Sequence, residues 1–190
     1  MGKIIKNILA VLRGMLFAYF TKFFNFWKVA GGKSLLKYCG VSINAGKNSK
    51  LSIGKKVKIN RLSTISVLNG GEMLIGDGVG IGSGNSIICH EKIEIGSNTI
   101  FGPNVLVYDH DHIYNEKYGV NKKEFKTAPI HIGKNCWIGA NVVILKGTTI
   151  GDGCVVGAGT VLKGEFPDDS LITQKRTTDI RVIERNKDNE

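Results

Sequence analysis

Ile132, Ile138, Ile144, Ile150, Val156 and Leu162 recur every six residues, a spacing that belongs neither to an α-helix nor to the alternation of an ordinary strand. Four of them are followed by glycine (Gly133, Gly139, Gly151, Gly157), and four residues after each of the first five stands Cys136, Val142, Thr148, Cys154 or Thr160. The unit is a large apolar residue, a turn and a small residue. A coil made of such hexapeptides buries its aliphatic side chain only when another coil stacks on it, so the period predicts a parallel β-helix.

The register runs upstream in groups: Ile53 and Ile59; Ile75, Ile81 and Ile87; Ile95, Phe101 and Val107. A two-residue shift between Ile87 and Ile95 reads as a bulge, and Asn69-Gly70-Gly71 as a turn where the count slips. The repeat spans about residues 51 to 165. The expected organisation is an amphipathic segment over 1–30, a linker or first coil over 31–50, a solenoid over 51–167, and a tail over 168–190. A segment rich in His, Asp, Lys and Tyr, residues 108–129, lacks the repeat and reads as a functional loop. Coils stacked about 4.8 Å apart and filled by aliphatic side chains leave no room for a ligand, so a site must lie on the outer wall, beneath this loop or between copies.

Charge is divided along the chain. Residues 1–71 hold thirteen Lys or Arg and no acid, whereas residues 72–190 hold thirteen bases and sixteen acids. The basicity therefore describes the partner of the N-terminal third and not the chemistry of a site further along. Cys136 and Cys154 fill small-residue slots one coil apart, and Cys39 and Cys89 have no CxxC partner, so the four thiols are expected to stay free in a reducing compartment.

From Gly2 to Val29 the polar residues Lys3, Lys6, Asn7, Arg13, Gly14, Thr21, Asn25 and Lys28 fall on one narrow helical side, with Lys22 outside it. The rest is apolar, a face wider than a soluble surface helix needs. Arg13 and Lys22 interrupt a membrane span, Arg13 splits a signal-peptide core, and Lys6 stands where myristoylation wants Ser or Thr. The pattern predicts a helix lying in the inner leaflet, which makes the protein cytoplasmic and peripheral. A helix packed on the solenoid is the alternative. The aromatic residues follow a helical face and not a base-stacking platform, which argues against nucleic acid.

Two of the four histidines lie in Val107-Tyr108-Asp109-His110-Asp111-His112, where the coil ends and the loop begins. With the bulge counted, one coil here is twenty residues, which places His90 beneath His110 and three imidazoles on one edge. A neutral imidazole can take a proton near neutral pH, and Asp109 or Asp111 can fix its tautomer, giving a candidate general base. His and Asp could also hold a metal ion, or merely cap the coil end. His131 reads as surface. There is no GxSxG elbow, CxxC or phosphate-cradling GxxxxGK[ST], and Gly157-Ala158-Gly159 are repeat turns.

Residues 128 to 164, APIHIGKNCWIGANVVILKGTTIGDGCVVGAGTVLKG, with the preceding NVLVYDHDH, resemble the hexapeptide acyltransferases, above all the O-acetyltransferases of galactosides, maltose and bacterial surface polysaccharides. The resemblance implies an all-β, left-handed parallel β-helix forming a homotrimer, with acetyl-CoA between neighbouring subunits and no metal. It carries the family's catalytic histidine onto His112, with Asn85, His90, Asp109, His110 and Asp111 supporting the acceptor side. Trp137, Ala140, Ala158 and Lys163 fall along the donor track, the Ala140 amide facing the thioester. Lys175, Arg176 and Arg181 are further candidates for the CoA phosphates. His90 stands where galactoside enzymes carry a carboxylate, which implies a different acceptor. The implied activity is transfer of acetyl to a saccharide hydroxyl, free or lipid-linked, in capsule, exopolysaccharide or lipopolysaccharide synthesis. Transfer to the amine of a nucleotide-linked amino sugar is the near alternative. A zinc enzyme of the γ-type carbonic anhydrase kind and a membrane-docked scaffold without CoA affinity are the remote ones.

Overall fold

The computed structural model describes residues 2–24, 28–29, 36–37, 40–175 and 177–181. Cys39 and Arg176 lie outside them. The chain is a left-handed parallel β-helix preceded by one helix, α1 (Gly2–Phe24). Each coil gives one short strand to each of three walls. The first wall stacks β1 (Lys28–Val29), β4 (Lys50–Ile53), β7 (Glu72–Ile75), β10 (Lys92–Ile95), β15 (Ile130–Ile132), β18 (Thr149–Ile150) and β21 (Glu165–Phe166). The second stacks β2 (Leu36–Lys37), β5 (Lys58–Ile59), β8 (Gly80–Ile81), β11 (Ile100–Phe101), β16 (Trp137–Ile138), β19 (Val155–Val156) and β22 (Leu171–Ile172). The third holds β3 (Ser42–Ala45), β6 (Thr64–Val67), β9 (Ser86–Cys89), β12 (Leu106–Tyr108), β17 (Val143–Leu145) and β20 (Val161–Leu162).

The six-residue register becomes columns of identical chemistry. On the first wall Ile53, Ile75, Ile95, Ile132 and Ile150 are register partners and fully buried. The third wall does the same with Ile65, Ile87, Val107, Ile144 and Leu162. Each such residue removed from water contributes about 1.5–3 kcal/mol, gained only because the neighbouring coil covers it. The small slots point inward at the corners: Cys136 and Cys154 are buried and their thiols sit 3.1 Å from the carbonyls of Gly151 and Pro167. Burial pushes the Cys89 and Cys136 thiols up, so they are inert fillers. The three described cysteines are free.

Stacking extends past the range the repeat predicts. β3 pairs in parallel with β6, using Ile43 and Ala45, and β22 pairs with β19. The early coils are longer than eighteen residues: Lys50 pairs with Glu72 and Glu72 with Lys92, whereas His131 pairs with Thr149. The surplus falls in the turns around Asn69-Gly70 and His90-Glu91, so the walls stay in register.

Corners are where coils approach most closely. A Cβ at Gly102 would lie 2.7 Å from the Ala140 nitrogen, and one at Gly139 would lie 2.7 Å from both the Ala158 nitrogen and the Val156 carbonyl oxygen. Gly139→Ala is therefore expected to cost about 1–3 kcal/mol by forcing two coils apart. Chemical denaturation measures this; unchanged stability would contradict the close stacking.

Candidate active site

The segment read as a loop is a β-hairpin. β13 (His110–Asn115) and β14 (Gly119–Thr127) pair antiparallel, His110 opposite Thr127 and His112 opposite Phe125, with a register shift after His112. The hairpin leaves the solenoid at the corner where β12 of the third wall would otherwise turn directly into the first wall. Its base is anchored by the Ala128 amide, which donates to the Asp109 carbonyl.

Asp109 holds the site together. It is fully buried, and its carboxylate accepts from the backbone amides of His90, Glu91 and Lys92 at 2.8 to 3.1 Å. Three amide donors satisfy an anion that would otherwise be costly to bury. The same carboxylate faces His110 Nδ1 at 3.1 Å. A carboxylate only accepts, so the neutral His110 ring carries its proton on Nδ1.

His90 lies one coil below, its ring stacked on that of His110 with centroids 3.8 Å apart. The Asn69 side-chain amide donates to His90 Nδ1 at 2.8 Å, which leaves Nε2–H as the donor of that ring. Burial and the neighbouring His110 and His112 hold His90 below its usual value of 6.5, against the pull of Asp109. Phe125 packs against all three imidazoles, with centroids 4.3, 5.4 and 4.7 Å from His90, His110 and His112. His112 Nδ1 lies 3.3 Å from the Asn121 carbonyl across the hairpin. A carbonyl only accepts, so in the neutral ring Nδ1 bears the proton and Nε2 keeps a lone pair. The site offers one N–H donor and two bases on one exposed edge.

Several expectations need correcting. Asn85, expected beside the acceptor, is 1% exposed in an inward corner slot, where its Oδ1 accepts from the Val105 amide at 2.6 Å. It serves the coil. Asp111 does not orient a histidine but faces Lys146 at 3.3 Å, and the tautomer of His112 is set by a backbone carbonyl. His131 needs no such correction: it is on the surface as expected, paired with Glu94 at 3.2 Å.

Trp137 is exposed on the second wall, and Ala140 and Ala158 lie on successive coils at the corner between the second and third walls. The histidines sit at the other edge of the third wall, so one chain does not bring the two sets together. Lys163, Lys175 and Arg181 are exposed. Among the described residues no group of three His, Cys, Asp or Glu is arranged to hold a metal. The sequence reading missed Asn69, Asn121, Phe125 and Lys146. Asn69 stands one coil before His90 and was legible in principle; Phe125 and Asn121 depend on the hairpin register.

Residues 129–163 match the family model "Hexapeptide repeat of succinyl-transferase". The chain is 35% identical to the probable acetyltransferase Rv3034c of Mycobacterium tuberculosis, over 70% of this chain and 44% of that one. It is 27% identical to WbbJ of Escherichia coli, a putative lipopolysaccharide biosynthesis O-acetyl transferase, over 69% and 67% of the two chains. It thus spans less than half of the mycobacterial relative and about two thirds of WbbJ. In fold it resembles AntD, an N-acyltransferase from Bacillus cereus crystallised with dTDP-4-amino-4,6-dideoxyglucose and coenzyme A. The TM-score is 0.65 at 20% identity, covering 86% of this chain and 88% of AntD. Coil and site define a solenoid with a basic histidine edge. The chain carries the hexapeptide repeat and is similar over most of its length to acetyltransferases built on it.

Because His90 is held below 6.5, the folded protein binds fewer protons there than the unfolded chain between that lowered value and 6.5. Stability should fall as pH drops through this window. Melting temperatures across this range are expected to decline less steeply in His90→Gln than in the parent; equal slopes would contradict the assignment.

Proposed function

We propose that the protein transfers an acetyl group from acetyl-CoA to a hydroxyl of a saccharide, with His112 as general base, in the synthesis of a capsular polysaccharide, exopolysaccharide or lipopolysaccharide. The observation that carries this reading is the tautomer of His112: its Nδ1–H is directed at the Asn121 carbonyl, and Nε2 presents a lone pair. The acceptor hydroxyl gives its proton to Nε2 as its oxygen attacks the thioester carbon. The C–S bond then breaks and the imidazolium returns the proton to the CoA sulfur. No acyl-enzyme forms. His90 Nε2–H and His110 face the acceptor, and the Ala140 amide receives the developing oxyanion. Trp137 and Ala158 line the donor, with its phosphates among Lys163, Lys175, Arg176 and Arg181. WbbJ's description supports the polysaccharide setting.

A homotrimer completes the site. The outer face of the first wall is charged, with Lys50 facing Glu72 and Lys92 paired with Glu94. The second wall carries an apolar column of Ile100, Trp137, Val155 and Leu171 in register. That column and the separation of the donor corner from the histidine edge support packing that sets one copy's histidines against another's donor track.

An amine on a nucleotide-linked sugar is the second reading, favoured by the ligand in the AntD structure. The same base would serve it. The test is thiol release from acetyl-CoA against glycans, simple sugars and nucleotide-linked amino sugars. The parent should show acceptor-dependent release, and His112→Ala should lower it by about 10²–10⁴-fold. Release that survives the substitution would remove His112 as the base, and the preferred acceptor decides between oxygen and nitrogen.

We also read residues 1–30 as the inner-leaflet attachment of a cytoplasmic protein; among the described helices none is long and apolar enough to cross a membrane.

A further inference from the structure

α1 is turned inside out. It lies against β1 and β2, the first strands of two walls. Ala10 and Gly14 are buried on the side that carries Lys6 and Arg13 nearby, whereas Ile4, Ile5, Ile8, Leu9, Leu12 and Leu16 are 44% to 66% exposed. At about 100° per residue those six cover one continuous arc, opposite to Ala10 and Gly14. A surface helix normally buries its apolar face on the protein; this one presents it outward.

The coils next to α1 add a second feature. Lys47, Lys50, Lys55, Lys56, Lys58 and Arg61 are all exposed and are spread over walls and corners, so cations encircle the N-terminal end of the solenoid. Residues 1–71 contain no acid, so this end has no anion within that segment to offer a second copy of itself. Pairing through it would bring like charges together. An anionic bilayer matches both features, taking the apolar arc among its acyl chains and the cations at its headgroups.

We propose that the protein docks end-on to an anionic lipid surface through the outward arc of α1 and this basic collar, and that the coil count sets the height of the active site. This rests on the acyl-transfer reading only for what it says about the acceptor. His90 and His110 follow β9 and β12, two and three stacking steps from β3, so the site stands about 10–14 Å beyond the first coil. The acceptor hydroxyl accordingly belongs to a glycan that projects from the lipid, such as a lipid-linked oligosaccharide, and not to a sugar lying in the headgroup layer.

The test uses the full chain with vesicles of phosphatidylglycerol and phosphatidylcholine, or of phosphatidylcholine alone. The parent should float with the anionic vesicles, lose binding as salt rises, and ignore the neutral ones. Leu12→Glu with Leu16→Glu, and separately Lys55→Glu with Lys56→Glu and Arg61→Glu, should each weaken partitioning at least about tenfold while thiol release with a soluble acceptor persists. In Trp27→Phe, which leaves Trp137 as the one tryptophan, vesicle binding should occur without quenching by headgroup-level spin labels. Equal binding to neutral vesicles, no binding, quenching of Trp137, or a soluble oligomer that dissociates in the Leu12→Glu, Leu16→Glu variant would overturn the proposal. In the parent chain, absence of vesicle binding with intact thiol release counts against the docking alone. Intact binding with no thiol release counts against the acyl-transfer reading alone.

Discussion

The stacking of one coil on the next is the interaction on which everything else depends. An inward isoleucine is buried only by its register partners above and below, and no coil has a core of its own. The same register makes residues twenty apart into neighbours, so His90 meets His110 ring to ring without any long-range folding of the chain. Asp109 links the two coils by accepting amides from residues 90, 91 and 92 while facing His110. Position in the repeat thereby becomes position in the site.

Burial and hydrogen bonding divide the histidines into different roles. Asn69 makes His90 a donor at Nε2, and desolvation with two imidazole neighbours disfavours its charged form. Asp109 and the Asn121 carbonyl fix the protons of His110 and His112 on Nδ1, leaving Nε2 of each as a base. Three residues of one type supply one donor and two acceptors, set by second partners that are themselves held by coil or hairpin backbone.

The coil was legible because a six-residue period has one physical solution, and the stacking of His90 beneath His110 followed from counting residues per coil. The hairpin was not, since His110 to Thr127 carries neither the repeat nor a clear strand alternation and its pairing depends on a register shift after His112. Asn85 misled because residue type alone does not say which way a corner slot points. Its place in the column of small inward residues with Ser63 and Val105 would have shown it. The repeat count stops short of the last strand because Leu171 stands outside the clean six-residue register, whereas β3, with Ile43, falls in the stretch 31–50 read as a linker or first coil.

The central claim is that catalysis joins the histidine edge of one copy to the donor corner of another. Co-expression of His112→Ala with Ala158→Trp, each expected to be inactive alone, tests it directly. Ala158 is exposed on its turn, so the larger side chain blocks the donor track without disturbing the core. Random mixing in a trimer should leave about a quarter of the sites intact, recovering thiol release to that fraction of the parent's. Mixed oligomers that form but remain inactive would contradict a shared site.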